Sequence, residues 1–174
     1  MPNDATKAFV AGTGRVMHAP LGTALPTTAI AVPNVLFKEL GFIDENGVVP
    51  EIAISTDKKK AWQGSAIVRV VRTEHSASWT FTVLEDNDEV AKMLYGSAAT
   101  AASFSVDGLA QAHEAFIIDA IDGTNVKRIV IPNGEVIDIK PAPLTASGIA
   151  GTEVTITSYP DATGKKYYQY TATP

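Results

Sequence analysis

The residue types that could do chemistry are few in this sequence, and their spacing fits no metal site. The three histidines, His18, His75 and His113, do not show the His-x-x-x-His spacing of zinc sites. The chain has no cysteine, which excludes disulfides and thiolate ligands. Residues 86–89, Asp-Asn-Asp-Glu, begin like a calcium loop, but valine and alanine follow where that loop needs an oxygen ligand and a glycine. Capping of a helix explains these four residues better.

Two weaker patterns also have simpler explanations than catalysis. Gly12-Thr-Gly14 lacks the third glycine and the Lys-Ser/Thr of the known phosphate-binding loops, which favours a flexible strand or arm over residues 5–18. Asp119 and Asp122 could act as acid and base only if the fold brought their carboxyl groups together. No Gly-x-Ser-x-Gly motif is present. The sequence therefore predicts no catalytic, cofactor-binding or metal-ligating residue, no cofactor and no enzymatic activity.

The charge balance argues against a protein that binds nucleic acid specifically. The chain has 14 basic and 19 acidic residues, a net charge of −5, whereas such binders usually present a basic face. The only concentrated basic patch is Asp57-Lys-Lys-Lys60, close to Trp62. A lysine run beside a tryptophan can contact phosphate. A solvated hairpin tip is the favoured interpretation, because lysines there also discourage edge-to-edge aggregation.

Length and hydropathy predict one domain over residues 1–174, long enough to bury a core. No apolar run approaches the roughly 20 residues that span a bilayer. The start of the chain, Met1-Pro-Asn-Asp, lacks the basic and apolar regions of a signal peptide. We therefore expect no membrane partner.

The clearest local pattern covers residues 65–96 and predicts strand, strand and helix. Apolar Trp79, Phe81 and Val83 alternate with small polar residues, which is typical of a strand with one buried face. A short break at residues 75–76 suggests that this strand and the one before it form an antiparallel pair. Asp86 or Asn87 can cap the following helix, which ends at Gly96 and buries a stripe formed by Val90, Met93 and Leu94.

Residues 17–50 are apolar but interrupted by prolines at 20, 26, 33 and 50. Two interpretations stay open. Residues 27–32 could be an ordinary strand and residues 35–40 a helical turn. Alternatively, the segment is an extended arm within residues 1–50 whose apolar side chains are covered by another subunit.

The absence of proline between Pro50 and Pro132 predicts that the central sheet lies in that span. Its exception is residues 97–112, rich in alanine and serine, which are predicted to be a surface loop. Further strands are predicted at 51–56, 113–121, 126–131, 135–139, 153–159 and 166–172, with Asn133-Gly134 as a hairpin turn. Many short strands with turns between them and one helix indicate a mainly β fold, a β-sandwich or barrel with one flanking α-helix and extended arm or loops.

At this point the order of several segments resembles one protein family. Residues 59–64 (Lys-Lys-Ala-Trp-Gln-Gly), residues 68–74, residues 81–85 and the helix ending Leu94-Tyr-Gly96 look like the major tail protein of long-tailed bacteriophages of the siphophage type. Pro132-Asn-Gly-Glu-Val136 and residues 153–160 are similar to later strands of the same family. The resemblance covers residues 37–170 and lies in order and spacing.

The resemblance implies a tail-tube β-sandwich or barrel in a structural virion protein. Six copies would form a ring, and stacked rings would form the hollow tube through which DNA is ejected, without specific binding of that DNA. The implied partners are further copies of the chain and other tail proteins, such as the tape measure and tube-terminating proteins. Assembly would take place in the host cytoplasm and end in the virion tail. Some relatives carry an immunoglobulin-like C-terminal domain, which this chain is expected to lack.

Several residue patterns agree with that implication. Strands that are apolar on both faces need cover on both, and a neighbouring subunit could supply one of them. Negative charge suits a channel that DNA must pass without sticking. The alternative is a β-sandwich binding module that recognises carbohydrate or protein, with Trp62, Tyr167, Tyr168 and Tyr170 as contact candidates.

Overall fold

A computed structural model describes residues 8–106, 112–146 and 148–172 of the chain. It contains one antiparallel sheet whose strands follow the order β2-β1-β5-β6-β7-β4-β3, and β8 pairs with β6. The fold is mainly β with one helix, as predicted. The elements are β1 Thr13–Pro20, β2 Lys38–Glu39, β3 Ile43–Lys60, β4 Ile67–Val83, α1 Asp88–Tyr95, β5 Glu114–Asp122, β6 Asn125–Pro141, β7 Thr152–Ser158 and β8 Tyr168–Ala172.

The main core lies between the two halves of this sheet. Trp79, Phe81 and Val83 are 1–2% exposed and point into it, which confirms the face predicted from their alternation. Val16, Phe116 and Ile118 enter it from the other half of the sheet, and the helix stripe formed by Val90, Met93 and Leu94 closes it. Asn87 caps the helix through bonds from the backbone nitrogens of residues 89 and 90, and Gly96 ends it at φ 99°.

One long strand, β6, connects the two halves of the sheet, and here the predicted hairpin at Asn133-Gly134 is wrong. Residues 126–130 pair with both β5 and β8, whereas residues 134–141 pair with β7. Gly134 does not adopt the positive φ of a tight hairpin turn. A Cβ at Gly134 would lie 2.7 Å from Cδ2 of Phe116. The glycine is thus needed because an aromatic ring covers the backbone there, not because the chain reverses.

The predicted break at His75-Ser76 is also wrong. Strand β4 runs without interruption through these residues, and its antiparallel partner is β3, with Ile54 opposite His75 and Ile52 opposite Ala77. The two segments predicted as a pair are therefore one strand. A polar His-Ser step does not end β4, because its pairing with β3 continues through both residues, whereas β7 pairs with β4 only from Ser78 onward.

The prediction that the central sheet lies between Pro50 and Pro132 is only partly right. Strands β1 and β7 lie outside that span and are interior strands of the sheet. Pro50 itself lies in β3, an edge strand, where its missing N–H costs no ladder bond on the open side. Residues 97–106 form the predicted loop, apart from one isolated bridge, and residues 107–111 of that prediction lie outside the described residues.

A second, smaller core lies on the opposite face of β1 and β5. Met17, Ala19, Ala115 and Ile117 are buried there, and Phe37 packs over them from the connection between β1 and β2. Strands β1 and β5 are therefore apolar on both faces. The chain itself supplies the cover on the second face.

The interpretation of residues 17–50 as one extended arm does not hold for this segment. It runs through β1, a loop over residues 21–37, β2 and the first part of β3. Residues 27–32 form no strand, and a turn at 35–36 leads into β2 rather than into a helix. The backbone N–H of Leu40 donates to the carbonyl of Val16 (3.0 Å), which holds the segment on the body. The part of the molecule that does extend is elsewhere, in β3 and β4.

Candidate assembly surface

The β3–β4 hairpin continues well past the core. Ala77 is the last fully buried residue of β4 on the side of the tip, and beyond it residues 51–56, 58–60, 66–70 and 72–74 are exposed on both faces of the ribbon. At a rise of about 3.3 Å per residue, the part from Ile52 to Lys60 is roughly 26 Å long. An isolated two-stranded ribbon is marginally stable in water. The projecting part of the hairpin is therefore the part of the molecule whose stability would increase most on contact with a partner.

Local sequence explains why the ribbon forms and where it turns. Four of the five residues in the run Ile67-Val-Arg-Val-Val71 are β-branched, which favours a strand. Gly64 at φ 67° and Ser65 at φ 54° supply the left-handed residues that reverse the chain, and the N–H of Ala61 closes the turn on the carbonyl of Ala66 (2.8 Å). The predicted hairpin tip next to Lys60 is confirmed.

Apolar side chains on the projection are open to solvent. Ile52, Ile54, Ile67 and Val70 are each 50–54% exposed. Directly opposite residues share a face, so Ile52 and Ile54 continue the face that carries Ala77 and Trp79 in the core. An apolar stripe thus runs from the core out along one face of the ribbon. Contiguous exposed apolar surface of this kind marks protein–protein contacts.

A second exposed apolar set lies on the loop that covers the smaller core and on the connection after β2. Its members are Leu21, Ile30, Val32, Val35, Leu36 and Phe42, all more than half exposed. The loop is nevertheless held in place, because Arg128 donates through Nη1 to the carbonyls of Ala31 (2.5 Å) and Thr28 (3.3 Å). It presents apolar groups on a fixed backbone.

A buried ion-pair cluster organises the body beneath that loop. Arg128 and Asp119 are 3% and 2% exposed and join β6 to β5. Arg15 on β1 reaches the same carboxylate (Nε–Oδ2 3.0 Å) and pairs with Glu39 on β2 (2.7 Å). The pKa of Arg15 lies above its usual value: burial acts to lower it, but the hydrogen bonds to Asp119 and Glu39 outweigh that effect. The cluster joins four strands and the loop.

The histidines do not converge. His18 is buried and lies between two carboxylates, with Nδ1 2.7 Å from Glu114 and Nε2 3.4 Å from Glu89. The pKa of Glu89 lies below its usual value, chiefly because Nζ of Lys92 donates to it (2.7 Å). His75 lies at the root of the hairpin. Within the ranges that the structure describes, no group of three or more metal-ligating side chains is placed to hold an ion.

The acidic pair considered for acid–base chemistry is engaged in structural contacts. Asp119 belongs to the ion-pair cluster, and Asp122 accepts from the backbone N–H of Val10 (3.1 Å).

The aromatic contact candidates are divided between core and surface. Tyr167 packs edge-on against Trp79 at 5.2 Å, and Tyr168 and Tyr170 lie against the smaller core. These tyrosines are packing residues. Trp62 is different, since it is 98% exposed at the hairpin tip. The hairpin as a projecting surface was missed from sequence because β4 was divided in two.

Comparison with known proteins gives this surface a context. Residues 1–173 match a family model described as phage tail tube protein. The chain belongs to the phage tail tube protein family. No curated protein matches it in sequence.

Solved structures place the tail tube chain among known folds. A chain of the sheath–tube complex of an extracellular contractile injection system, PVC, in the extended state has a TM-score of 0.56 at 11% identity, covering 97% of this chain and 95% of that one. A chain of the PVC sheath/tube terminator in the extended state has a TM-score of 0.57 at 11% identity, and the match covers 95% of this chain and 99% of that one. A chain of the tube-terminating cap of the anti-feeding prophage has a TM-score of 0.53 at 11% identity, and the match covers 98% of this chain and 97% of that one. At such identities the likeness shows the fold.

Family membership supports the coarser part of the expectation from sequence. The chain is a structural tail tube protein and therefore a component of a virion tail. In the described ranges, no helix is both long enough and apolar enough to cross a membrane.

Proposed function

We propose that this tail tube protein is the major subunit of a siphophage-type tail, in which six copies form a ring and rings stack into a hollow conduit for DNA ejection. Its residues 1–174 would act as one tail-tube domain. Assembly would occur in the host cytoplasm with tape measure and tube-terminating proteins as partners. The siphophage type rests on the residue resemblance, since the similar structures come from contractile systems.

The observation that carries the proposal is the β3–β4 hairpin. It projects roughly 26 Å beyond the core and leaves Ile52, Ile54, Ile67 and Val70 half exposed. A single copy has nothing to cover that stripe among its described residues. A neighbouring copy supplies cover, and a projection on one copy that fits a different surface on the next makes a heterologous contact, which builds rings or open stacks. Similar proteins from sheath–tube and tube-terminator assemblies support the same mode of action.

The experiment is electron microscopy of the purified protein over a range of concentrations, with light scattering to follow mass. We expect rings or tubes, with polymer mass that rises above a threshold concentration. The informative variant replaces residues 55–74 by Asn-Gly, which joins Ile54 to its opposite partner His75 through a two-residue turn. It keeps every residue of the main core.

We expect the shortened variant to fold and to remain monomeric. Its matched control is the full chain with Gln63→Ala, an exposed tip residue changed without loss of the ribbon. A wild-type protein that stays a compact monomer at every concentration, or a shortened variant that still forms tubes, would contradict the proposal. A monomer that binds a glycan or protein ligand would favour the binding-module alternative.

A further inference from the structure

The charges of the hairpin are separated along its length. Residues 57–72 hold five of the fourteen basic residues and only one of the nineteen acidic residues, Asp57. The remainder of the chain thus carries nine basic and eighteen acidic residues. A net charge of −5 conceals a basic tip on a strongly acidic body. The five basic residues of the tip are Lys58, Lys59, Lys60, Arg69 and Arg72.

The tip is a place where positive charge is concentrated rather than neutralised. Lys59 lies directly opposite Arg69 on the ribbon. Like charges opposite one another destabilise a strand pair, so the isolated hairpin bears a cost that an anionic partner removes. Within the described residues, Lys59 pairs with Asp57, and none of the other four has a carboxylate within ion-pair distance. Trp62, fully exposed, stands beside them.

The opposite end of the same two strands is acidic. It carries Asp44 and Glu45 at the start of β3, and Glu85, Asp86 and Asp88 after the end of β4. Glu85 accepts from the backbone N–H of Phe42 (2.9 Å), which ties the two segments together. In the part of the chain that the structure describes, none of these five carboxylates has a basic side chain within ion-pair distance. Phe42, 75% exposed, lies among them.

The two ends are therefore complementary in both charge and apolar character. The tip has basic residues around an exposed tryptophan, and the base has carboxylates around an exposed phenylalanine. They are separated by the length of β3, about sixteen residues or roughly 50 Å. A single copy does not bring its own tip to its own base, because the paired strands β3 and β4 lie between them, with three register shifts along their length. Two copies in head-to-tail order can.

We propose that the basic hairpin tip of one copy docks on the acidic base of the next, a contact that rests on the proposed tube function and gives the assembly its polarity. Duplex DNA is the other anionic partner that the tip could meet. The body disfavours DNA, because its excess of carboxylates repels phosphate over the range that salt leaves unscreened. A second copy carries the same excess of carboxylates, but its base also presents the exposed Phe42, an apolar contact for Trp62 that a phosphate backbone does not offer.

The test uses two charge-reversed full-length variants. The tip variant carries Lys58→Glu, Lys59→Glu, Lys60→Glu and Arg69→Glu, which turns five positive and one negative charge over residues 57–72 into one positive and five negative, and keeps like charges opposite one another at 59 and 69. The base variant carries Asp44→Lys, Glu45→Lys and Asp86→Lys, which turns the five negative charges of the base into two negative and three positive. We expect each alone to need at least about tenfold more protein to assemble than the wild type, because like charges then face each other across the contact.

An equimolar mixture of the two variants should assemble at a concentration near that of the wild type. Each acidic tip then meets a basic base, and each basic tip meets an acidic base. The variant that combines all seven substitutions, with both ends reversed, should assemble alone. Wild-type assembly should also weaken as salt is raised from about 0.05 to 0.5 M.

The possible outcomes distinguish a failure of the proposed tube function from a failure of the docking alone. Wild-type protein that forms no rings or tubes contradicts the proposed function and, with it, the docking. Wild-type tubes together with variants that assemble as readily as the wild type overturn the docking alone. So does a mixture that fails to assemble while a fluorescent DNA duplex binds the wild type and not the tip variant, since the tip would then serve DNA.

Discussion

The guanidinium of Arg128 holds the carboxylate of Asp119 through two bonds, Nε to Oδ1 at 2.6 Å and Nη2 to Oδ2 at 2.8 Å, with both side chains buried. The remaining Nη1 donates to loop carbonyls at Thr28 and Ala31. A single residue thus satisfies a buried charge and fixes the loop that covers the smaller core.

Replacing Arg128 by methionine should lower the free energy of unfolding by about 3–5 kcal/mol, because it leaves Asp119 buried with only Arg15 as a charged partner. Urea unfolding of the monomer measures this. Lys165→Met, at an exposed position, is the control and should change stability by less than about 0.5 kcal/mol. The double variant Arg128→Met with Asp119→Leu should recover part of the loss, since no buried charge is then unpaired. An Arg128→Met variant with the wild-type free energy of unfolding would show that the ion-pair cluster does not stabilise the fold.

The close approach of Gly134 to Phe116 can be tested by substitution. Its replacement by alanine places a Cβ 2.7 Å from the ring of Phe116 and should cost about 1–3 kcal/mol of stability. Gly12→Ala is the matched control, because nothing lies within 4 Å of a Cβ there. Combining Gly134→Ala with Phe116→Leu should cost less than the sum of the two single changes. Additive costs in that cycle would contradict the contact.

Local chemistry was enough to predict the core face of β4, the helix and its cap. Trp79 and Phe81 alternate with polar residues whatever strand lies beside them, and Asn87 bonds the backbone only two and three residues onward. These signals depend on near neighbours in sequence. A period of two and a cap can therefore be identified without knowing the fold.

The projecting hairpin and the buried ion pair could not be predicted in this way. The continuity of β4 through His75 depends on its register with β3, which sequence periodicity does not reveal. Arg128 and Asp119 meet because they are opposite each other on neighbouring strands. Asn133-Gly134 has the composition of a turn but lies within a strand, and the glycine is there because the ring of Phe116 covers the backbone. Each of these features is set by long-range pairing.

The two tryptophans give a matched pair of substitutions. Trp79 is 1% exposed in the core, and its replacement by alanine should cost about 3–5 kcal/mol of monomer stability. Trp62 is 98% exposed, and the same change should cost less than about 0.5 kcal/mol. Denaturant unfolding at a concentration below assembly measures both. Equal losses would mean that the tip packs on its own body.

The turn before β8 should respond to acid through Asp161. The pKa of Asp161 is held well below its usual range, first by the hydroxyl of Tyr168 (2.7 Å) and then by the backbone N–H of Lys165 (2.9 Å). A carboxyl group with a depressed folded pKa stabilises the protein above the ordinary pKa of about 3.9, and this contribution is lost as the pH falls toward the folded value. The wild type should therefore be more stable than Asp161→Asn at pH 6, by a margin that shrinks below about pH 4.

Tyr168→Phe isolates the largest cause of that shift. It removes the hydroxyl that donates to Asp161 and keeps the ring. The pKa of Asp161 should therefore rise toward its ordinary value while the packing of β8 is retained. Carboxyl chemical shifts followed by NMR titration measure the pKa in both proteins. An Asp161 that titrates near 3.9 in the wild type, or a stability margin over Asp161→Asn that widens on acidification, would contradict the assignment, because the bonds at this turn would then not favour the charged carboxylate.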